Sequence, residues 1–393
     1  HADLEEICRE QENQEYVIDE NIKEWIGLVE EAFNRRHVVS TFENRAVMLV
    51  GASPKLVGEL TGHLADTALA HLYVDEKYEH FLNESLLRAK NAGGAPVSFG
   101  YDPVQTLGKL RSGGRGPDVT IYLGTRKYPY LLDVQPLEVV EDNILKPWRL
   151  YIGAKGRREQ LFIYGSSVGA AEPRHIIQKT LALFECYLAG AAGACGRACI
   201  VRLPSLVDNT GSIVEKVRSQ IRQGCTVTVN HAGEARYFST AAEAAKFILH
   251  AAAMVNSRKA DHHVFEYRFA QKVKVSDLVV KLQKEYGRNG HRQTDVQAFN
   301  VGNEALWQEA VGPNGRRYLR TEYANILVQR EDGRPLPDLT EIEANIADYR
   351  QLVQAGDEKG LYDRVVQDWE KYGGRWTERE QVRERIKRLA AER

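Results

Sequence analysis

Short, continuous apolar runs alternate with amphipathic stretches through the first half of the chain. Ala46–Gly51 (AVMLVG) ends on a glycine, and helical spacing follows over Leu56–Ala70. Ala70–Val74 (AHLYV) closes on Asp75, and Pro96–Phe99, Asp118–Leu123 (DVTIYL), Gln160–Tyr164 (QLFIY) and Ala198–Arg202 (ACIVR) repeat the pattern with helical sequence between them. Strands buried on both faces read as unbroken apolar runs, whereas half-exposed strands alternate. The pattern therefore predicts an α/β fold, a Rossmann-type doubly wound parallel sheet over residues 44–202.

Past residue 203 the rhythm changes. A helix over Ser212–Gln223, a strictly alternating strand at Thr226–Asn230 (TVTVN) and an Ala-rich helix over Thr240–Met254 predict a smaller mixed lobe over 203–330. Residues 1–43 form an N-terminal helical arm, with Leu4, Ile7, Trp25, Ile26, Leu28, Val29, Ala32 and Phe33 at helix-like spacing, and packing is its expected role. Residues 331–393 are highly charged with helical periodicity. They read as a solvated helical extension, free to cover a neighbouring subunit.

Composition narrows the partners. The 53 Lys+Arg and 54 Asp+Glu leave a formal net charge of -1, which argues against nucleic acid or an anionic membrane as a bulk electrostatic partner. No apolar run approaches the ~18 residues a membrane-spanning helix needs. The polar start shows no signal-peptide layout, and the five cysteines lack CxxC spacing. Reduced thiols in a cytoplasmic, homo- or hetero-oligomeric protein are expected. His262-His263 beside Asp261, and Cys195 with Cys199, match no standard zinc spacing, so no metal is expected.

Six segments carry a resemblance. LYVDEKYEHF (72–81), KYPYLLDVQPLEVVEDNIL (127–145), RLPSLVDNTGSIVEKVRSQI (202–221), TVTVNHAGEARYFSTAAEAAKFIL (226–249), VFEYRFAQKVKVSDLVVKL (264–282) and NEALWQEAV (303–311) resemble, in order and spacing, the CapD-like inverting UDP-N-acetylglucosamine 4,6-dehydratases. These are extended short-chain dehydrogenases of polysaccharide biosynthesis, and the likeness covers about residues 44–330. It implies NAD(P) on the N-terminal sheet and a UDP-sugar in the C-terminal lobe. The implied chemistry oxidises C4, eliminates water across C5–C6 and returns the hydride.

The implied site changes where chemistry is needed. The family's T-G-x-G-G-S-I-G turn falls on Val50–Val57. Gly51 matches its first glycine, but Ser53, Pro54 and Val57 replace later ones. A Cβ obstructs close approach of a pyrophosphate, and Pro54 removes an amide donor. Gly51, Ser53, Lys55 and Asp75 are the cofactor-binding candidates. Asp75 stands where a carboxylate holds ribose hydroxyls and favours NAD over NADP, though a strand-end Asp is also an ordinary turn residue. NAD(P) binding is expected to be weak or absent.

In the catalytic stretch the family's S-T-D-K-A-x-x-P becomes Ser166-Ser167-Val168-Gly169-Ala170-Ala171-Glu172-Pro173. The resemblance places Ser167 against the C4 oxygen and Lys179 against the cofactor ribose. Val168-Gly169 replaces the Asp-Lys pair that serves C5 and C6. His175 occupies the usual Tyr position, with the segment before Lys179 two residues short. An imidazole suits acid–base work near neutral pH, and a packed structural histidine is the competing reading. On the substrate side Ser205 replaces an Asn, and Thr210, Val301 and Ala305 replace two arginines and a lysine. Arg202, Gly211, Ser212, Arg236, Glu304, Glu309 and Lys127 remain. Lys127, Arg202, Ser205 and Arg236 are the substrate-binding candidates, with bracing of the two lobes as the alternative for Lys127 and Arg236.

Two functions follow. One is a diverged member of the dehydratase/epimerase family that is not a working 4,6-dehydratase and serves as a partner subunit or scaffold. The other is an active NAD(P)-dependent oxidoreductase, epimerase or dehydratase on a nucleotide sugar or another small substrate, using Ser167, His175 and Lys179.

Overall fold

The computed structural model describes residues 20–373 apart from 94, 114–115, 128–134, 154–159, 172, 174, 210–211, 230–232, 259–261, 268–271, 289–295, 299–317, 324 and 330–335. Thr210, Gly211, Glu172, Val301, Glu304, Ala305 and Glu309 lie outside the described residues, as do Leu4 and Ile7.

Six strands, β1 (Ala46–Val50), β2 (His71–Asp75), β3 (Val97–Gly100), β4 (Val119–Tyr122), β5 (Leu161–Ser167) and β6 (Arg197–Leu203), lie parallel in the order β3-β2-β1-β4-β5-β6. The expected doubly wound sheet is present. Apart from the edge strand β3, its strands are buried on both faces, since helices cover each side.

The sequence reading assigns residues 262–267 and 318–329 to the smaller lobe, but their strands extend the large sheet. His262–Tyr267 pairs in parallel with β6, and Ile326–Gln329 and Tyr318–Arg320 add two antiparallel strands beyond it. The edge of β6 presents backbone groups that must be paired once buried, and Phe265 and Ile326 add to the core beneath. The His262-His263 pair is thereby part of a strand.

The smaller lobe has its own apolar centre. Val207, Val214, Val217, Ile221, Val227, Phe238, Leu278 and Leu282 form it, and Ile22 and Ile26 of the arm insert into it. Farther along the arm, Val38 and Phe42 are buried in the core on one side of the sheet, where their helix packs on the Ala241–Arg258 helix. The arm thus packs against both layers.

The C-terminal extension differs from the solvated tail expected. Helices Leu339–Ala355 and Glu358–Asp368, then the π-helical turn Trp369–Gly373, pack on the chain's own Ile176–Ala191 helix. That helix is apolar nearly all round because the sheet covers one face and the extension the other. Few apolar residues suffice, and Ile342, Tyr349, Leu361, Val365 and Trp369 supply them among many charges.

Candidate functional site

The strand order reverses between β1 and β4, and in open α/β sheets such a switch point opens a crevice at the carboxyl ends of the strands. Gly51 makes the turn after β1 with φ +66°, and a Cβ there would stand 2.4 Å from Gly124 Cα. Two glycine turns therefore meet at the floor of a cleft of about 740 Å³. Residues 203–206, Asn209, Ser212, Ile213 and Arg236 of the smaller lobe close its other side.

The phosphate turn is self-capped. Ser53 is the N-cap of the Pro54–Leu64 helix, and its Oγ accepts the Leu56 N–H at 3.4 Å. Pro54 sits at the first helical position, which suits its fixed φ and missing N–H. The Val57 amide goes to the Ser53 carbonyl. Lys55 turns to Glu59 at 3.7 Å and is not part of the cleft wall. Asp75 does line the cleft. Its Oδ2 accepts from Thr106 at 2.8 Å, and burial pushes its carboxyl up to about 6 against that hydrogen bond.

The catalytic stretch opens with Ser167 in the cleft at the end of β5, its Oγ accepting the Gly169 N–H at 3.3 Å. Val168–Ala171 then form a 3-10 turn. His175 also lines the cleft, but as the N-cap of the Ile176–Ala191 helix. Its Nδ1 accepts the Gln178 N–H at 3.3 Å. Burial, with the Arg236 charge second, holds the imidazole down to about 4. The ring is therefore neutral at pH 7 with its proton on Nε2, where it donates rather than accepts. Lys179 lies outside the cleft wall, and Gln178 takes a place on it instead. The structure brings Ser167 and His175 to one cavity and leaves Lys179 out.

On the substrate side, Arg202 is almost fully buried. It pairs with Glu185 (Nη2–Oε2 2.6 Å) and Glu266 (Nη1–Oε2 3.5 Å), away from the cleft. Burial of a guanidinium demands such partners, so Arg202 holds β6 to its surroundings and is corrected from a ligand contact to a core ion pair. Ser205 and Arg236 do reach the cleft and lie 3.5 Å apart (Oγ–Nη1). Arg236 Nε is also bound by the buried Glu234 at 2.6 Å. Lys127 lines the opposite wall, and desolvation lowers its ammonium to about 8.

Several residues of the cleft wall, and Asn143 buried behind it, escaped the sequence reading. Asn143 sits in the π-helical turn Glu141–Leu145, where its side chain accepts the Arg126 N–H at 2.7 Å and donates to Thr180 at 3.0 Å. Beside it Asp142 binds Arg126 at 2.7 Å and Lys146 at 2.5 Å, both on the cleft wall. The π-turn itself, a frequent mark of functional positions, has no sequence signature. Asn209 lines the cleft from the smaller lobe and bonds to Ser53. Among the described residues no group of three or more side chains could hold a metal ion.

Residues 104–305 match the family described as polysaccharide biosynthesis protein. The capsular polysaccharide biosynthesis protein CapD of Staphylococcus aureus is 25% identical over 203 residues, 50% of this chain and 33% of the relative, so the match spans a third of that relative's length. Pen from Bacillus thuringiensis superposes with a TM-score of 0.61 at 15% identity, covering 76% of this chain and 91% of that one. The Bordetella bronchiseptica enzyme WbmF, solved in complex with NAD+ and UDP, gives a TM-score of 0.54 at 15% identity over 81% of this chain and 98% of that one. Both structures share the fold. No described helix of this chain is long and apolar enough to cross a membrane.

The residues present fit a dinucleotide only in part. Asp75 and the Gly51 turn suit an adenosine ribose and a close backbone approach. The diphosphate end does not fit, because Pro54 offers no amide, Ser53 takes that of Leu56, and the Ser53 hydroxyl is bound to Asn209.

Proposed function

The chain belongs to the polysaccharide biosynthesis protein family, and on that footing we propose that it is a diverged nucleotide-sugar dehydratase/epimerase relative. It binds a nucleotide sugar without dehydrating it and serves as a partner subunit or scaffold. The observation that carries this reading is the pair Val168-Gly169. Neither side chain can donate or accept a proton, and the Gln178 side chain lies over the glycine. Elimination across C5–C6 needs an acid and a base, each worth about 10²–10⁴-fold in rate.

The remaining cleft chemistry suits binding. Arg236 and Lys127 supply positive charge for a diphosphate, Ser205 a hydroxyl, and the His175 Nε2–H and Gln178 amide supply donors for a sugar. Ser167 could orient a sugar oxygen. No step is assigned to NAD(P), since its diphosphate lacks a cradle here.

The test is incubation of the purified protein with UDP-N-acetylglucosamine and NAD, followed by mass analysis. No 4-keto-6-deoxy product is expected, while calorimetry should show UDP-sugar binding that falls in Arg236→Ala. Product formed at ordinary enzymatic rates would overturn the reading.

A further inference from the structure

A side-chain hydrogen bond joins the two sides of the cleft. Ser53 Oγ donates to Asn209 Oδ1, joining the first turn of the Pro54–Leu64 helix to the segment that follows the Ser205–Leu206 strand. The same Ser53 oxygen accepts the Leu56 N–H. The hydroxyl has one proton to give, and Asn209 takes it.

Asn209 is held in place from three directions. Its neighbour Asp208 accepts the Ala241 N–H at 2.7 Å, at the start of the Ala241–Arg258 helix. Its own carbonyl accepts the Ser212 N–H at 2.9 Å. Ser212 in turn caps the Ile213–Arg222 helix through the Glu215 N–H at 3.1 Å. One short segment is thereby tied to the N-termini of three helices. The electropositive end of a helix favours an oxygen ligand, and a phosphate is the usual one at a Rossmann turn. Here the oxygen comes from a carboxamide of the protein itself.

We propose that Asn209, held by Ser53, is a specificity determinant that takes the place of a dinucleotide diphosphate and excludes it from the cleft. The inference rests on the reading of a nucleotide-sugar cleft without dinucleotide chemistry and deepens it by naming the group that excludes. A diphosphate approaching Gly51 and the helix end must displace the Asn209 oxygen, which can only accept, and must recover the Ser53 proton. A ligand held on the Arg236, Ser205 and Lys127 walls leaves that contact intact. The cleft then discriminates between two diphosphate ligands by where each phosphate lies.

The experiment is calorimetric titration of the intact chain and of Asn209→Ala with NAD and, separately, with UDP. Loss of one competing hydrogen bond should raise NAD affinity about three- to tenfold, with UDP affinity unchanged. The same substitution on the Pro54→Gly/Val57→Gly background, where the missing amide is restored and Ser53 is kept, should give a similar gain and a readable signal where the parent binds too weakly. Circular dichroism establishes that each variant is folded. NAD affinity indifferent to residue 209 on both backgrounds overturns the proposal, as does an equal gain for UDP. Dehydration by the parent protein would sink the functional reading instead, so the two failures are distinguishable.

Discussion

The side-chain amide of Gln178 lies over Gly169, with its Nε2 2.4 Å from where a Cβ on that glycine would stand. Gly169 and Gln178 thus form a single packing unit. Residue 169 cannot regain a side chain without moving Gln178.

Introducing an Asp-Lys pair at 168 and 169 alone should therefore fail at the level of stability. Val168→Asp with Gly169→Lys is expected to cost about 1–3 kcal/mol through overpacking. Adding Gln178→Ala should recover part of that loss, with a coupling between 169 and 178 that urea denaturation of the full mutant cycle can read. Additive effects would show that the contact carries no energy.

Arg202 should matter for folding rather than ligand binding. Arg202→Ala leaves Glu185 and Glu266 buried without their shared cation, and breaking such a pair costs about 3–5 kcal/mol. Arg202→Met with Glu185→Gln and Glu266→Gln should recover much of it. A variant that unfolds like the parent but loses UDP-sugar binding would return Arg202 to the ligand side.

His175 should behave as a helix cap. His175→Ala is expected to lower stability by about 0.5–2 kcal/mol, whereas His175→Ser or His175→Asn should stay close to the parent. The imidazole titrates at about 4 in the folded chain against 6.5 unfolded. The unfolded state therefore binds the extra proton between those values, and stability contributed by the neutral ring is lost as pH falls from 6.5 towards 4. His175→Ser should flatten that part of the stability–pH curve.

Asp75 should act in the opposite sense. Its carboxyl titrates at about 6 when folded and 3.8 in the reference state, so the folded chain holds the extra proton. Stability then declines as pH rises from about 4 to 6 and stays lower above it. Asp75→Asn, which keeps an acceptor for Thr106, should remove this decline and stabilise the protein at pH 7 by about 1–3 kcal/mol. An Asp75→Asn variant whose stability differs between pH 4 and 7 by the same amount as the parent's would contradict it.

The C-terminal extension should be integral to the fold. Trp369→Ala is expected to cost about 3–5 kcal/mol, the range for removing a large aromatic side chain from a packed site. Unfolding should remain a single transition, because Trp369 and Tyr349 share a core with Tyr187 of the helix beneath the extension.

The strands of the sheet and the glycine turn were legible in the sequence. They depend on local periodicity and residue type, and Ala46–Val50 reads as a buried strand whatever surrounds it. What Arg202, His175 and Lys179 do was not legible, because their roles depend on which face of an element meets which neighbour. Arg202 follows an apolar run and resembles a ligand contact until Glu185 and Glu266 close on it from a helix and another strand. His175 and Lys179 are one helical turn apart, yet capping geometry turns Gln178, not Lys179, into the cleft. The Ser53–Asn209 contact spans 156 positions, and nothing local to either residue encodes it. Local periodicity and residue type suffice for the sheet. The tertiary structure decided which polar groups are consumed by the protein, because a buried charge or hydroxyl must find its partner wherever packing delivers one.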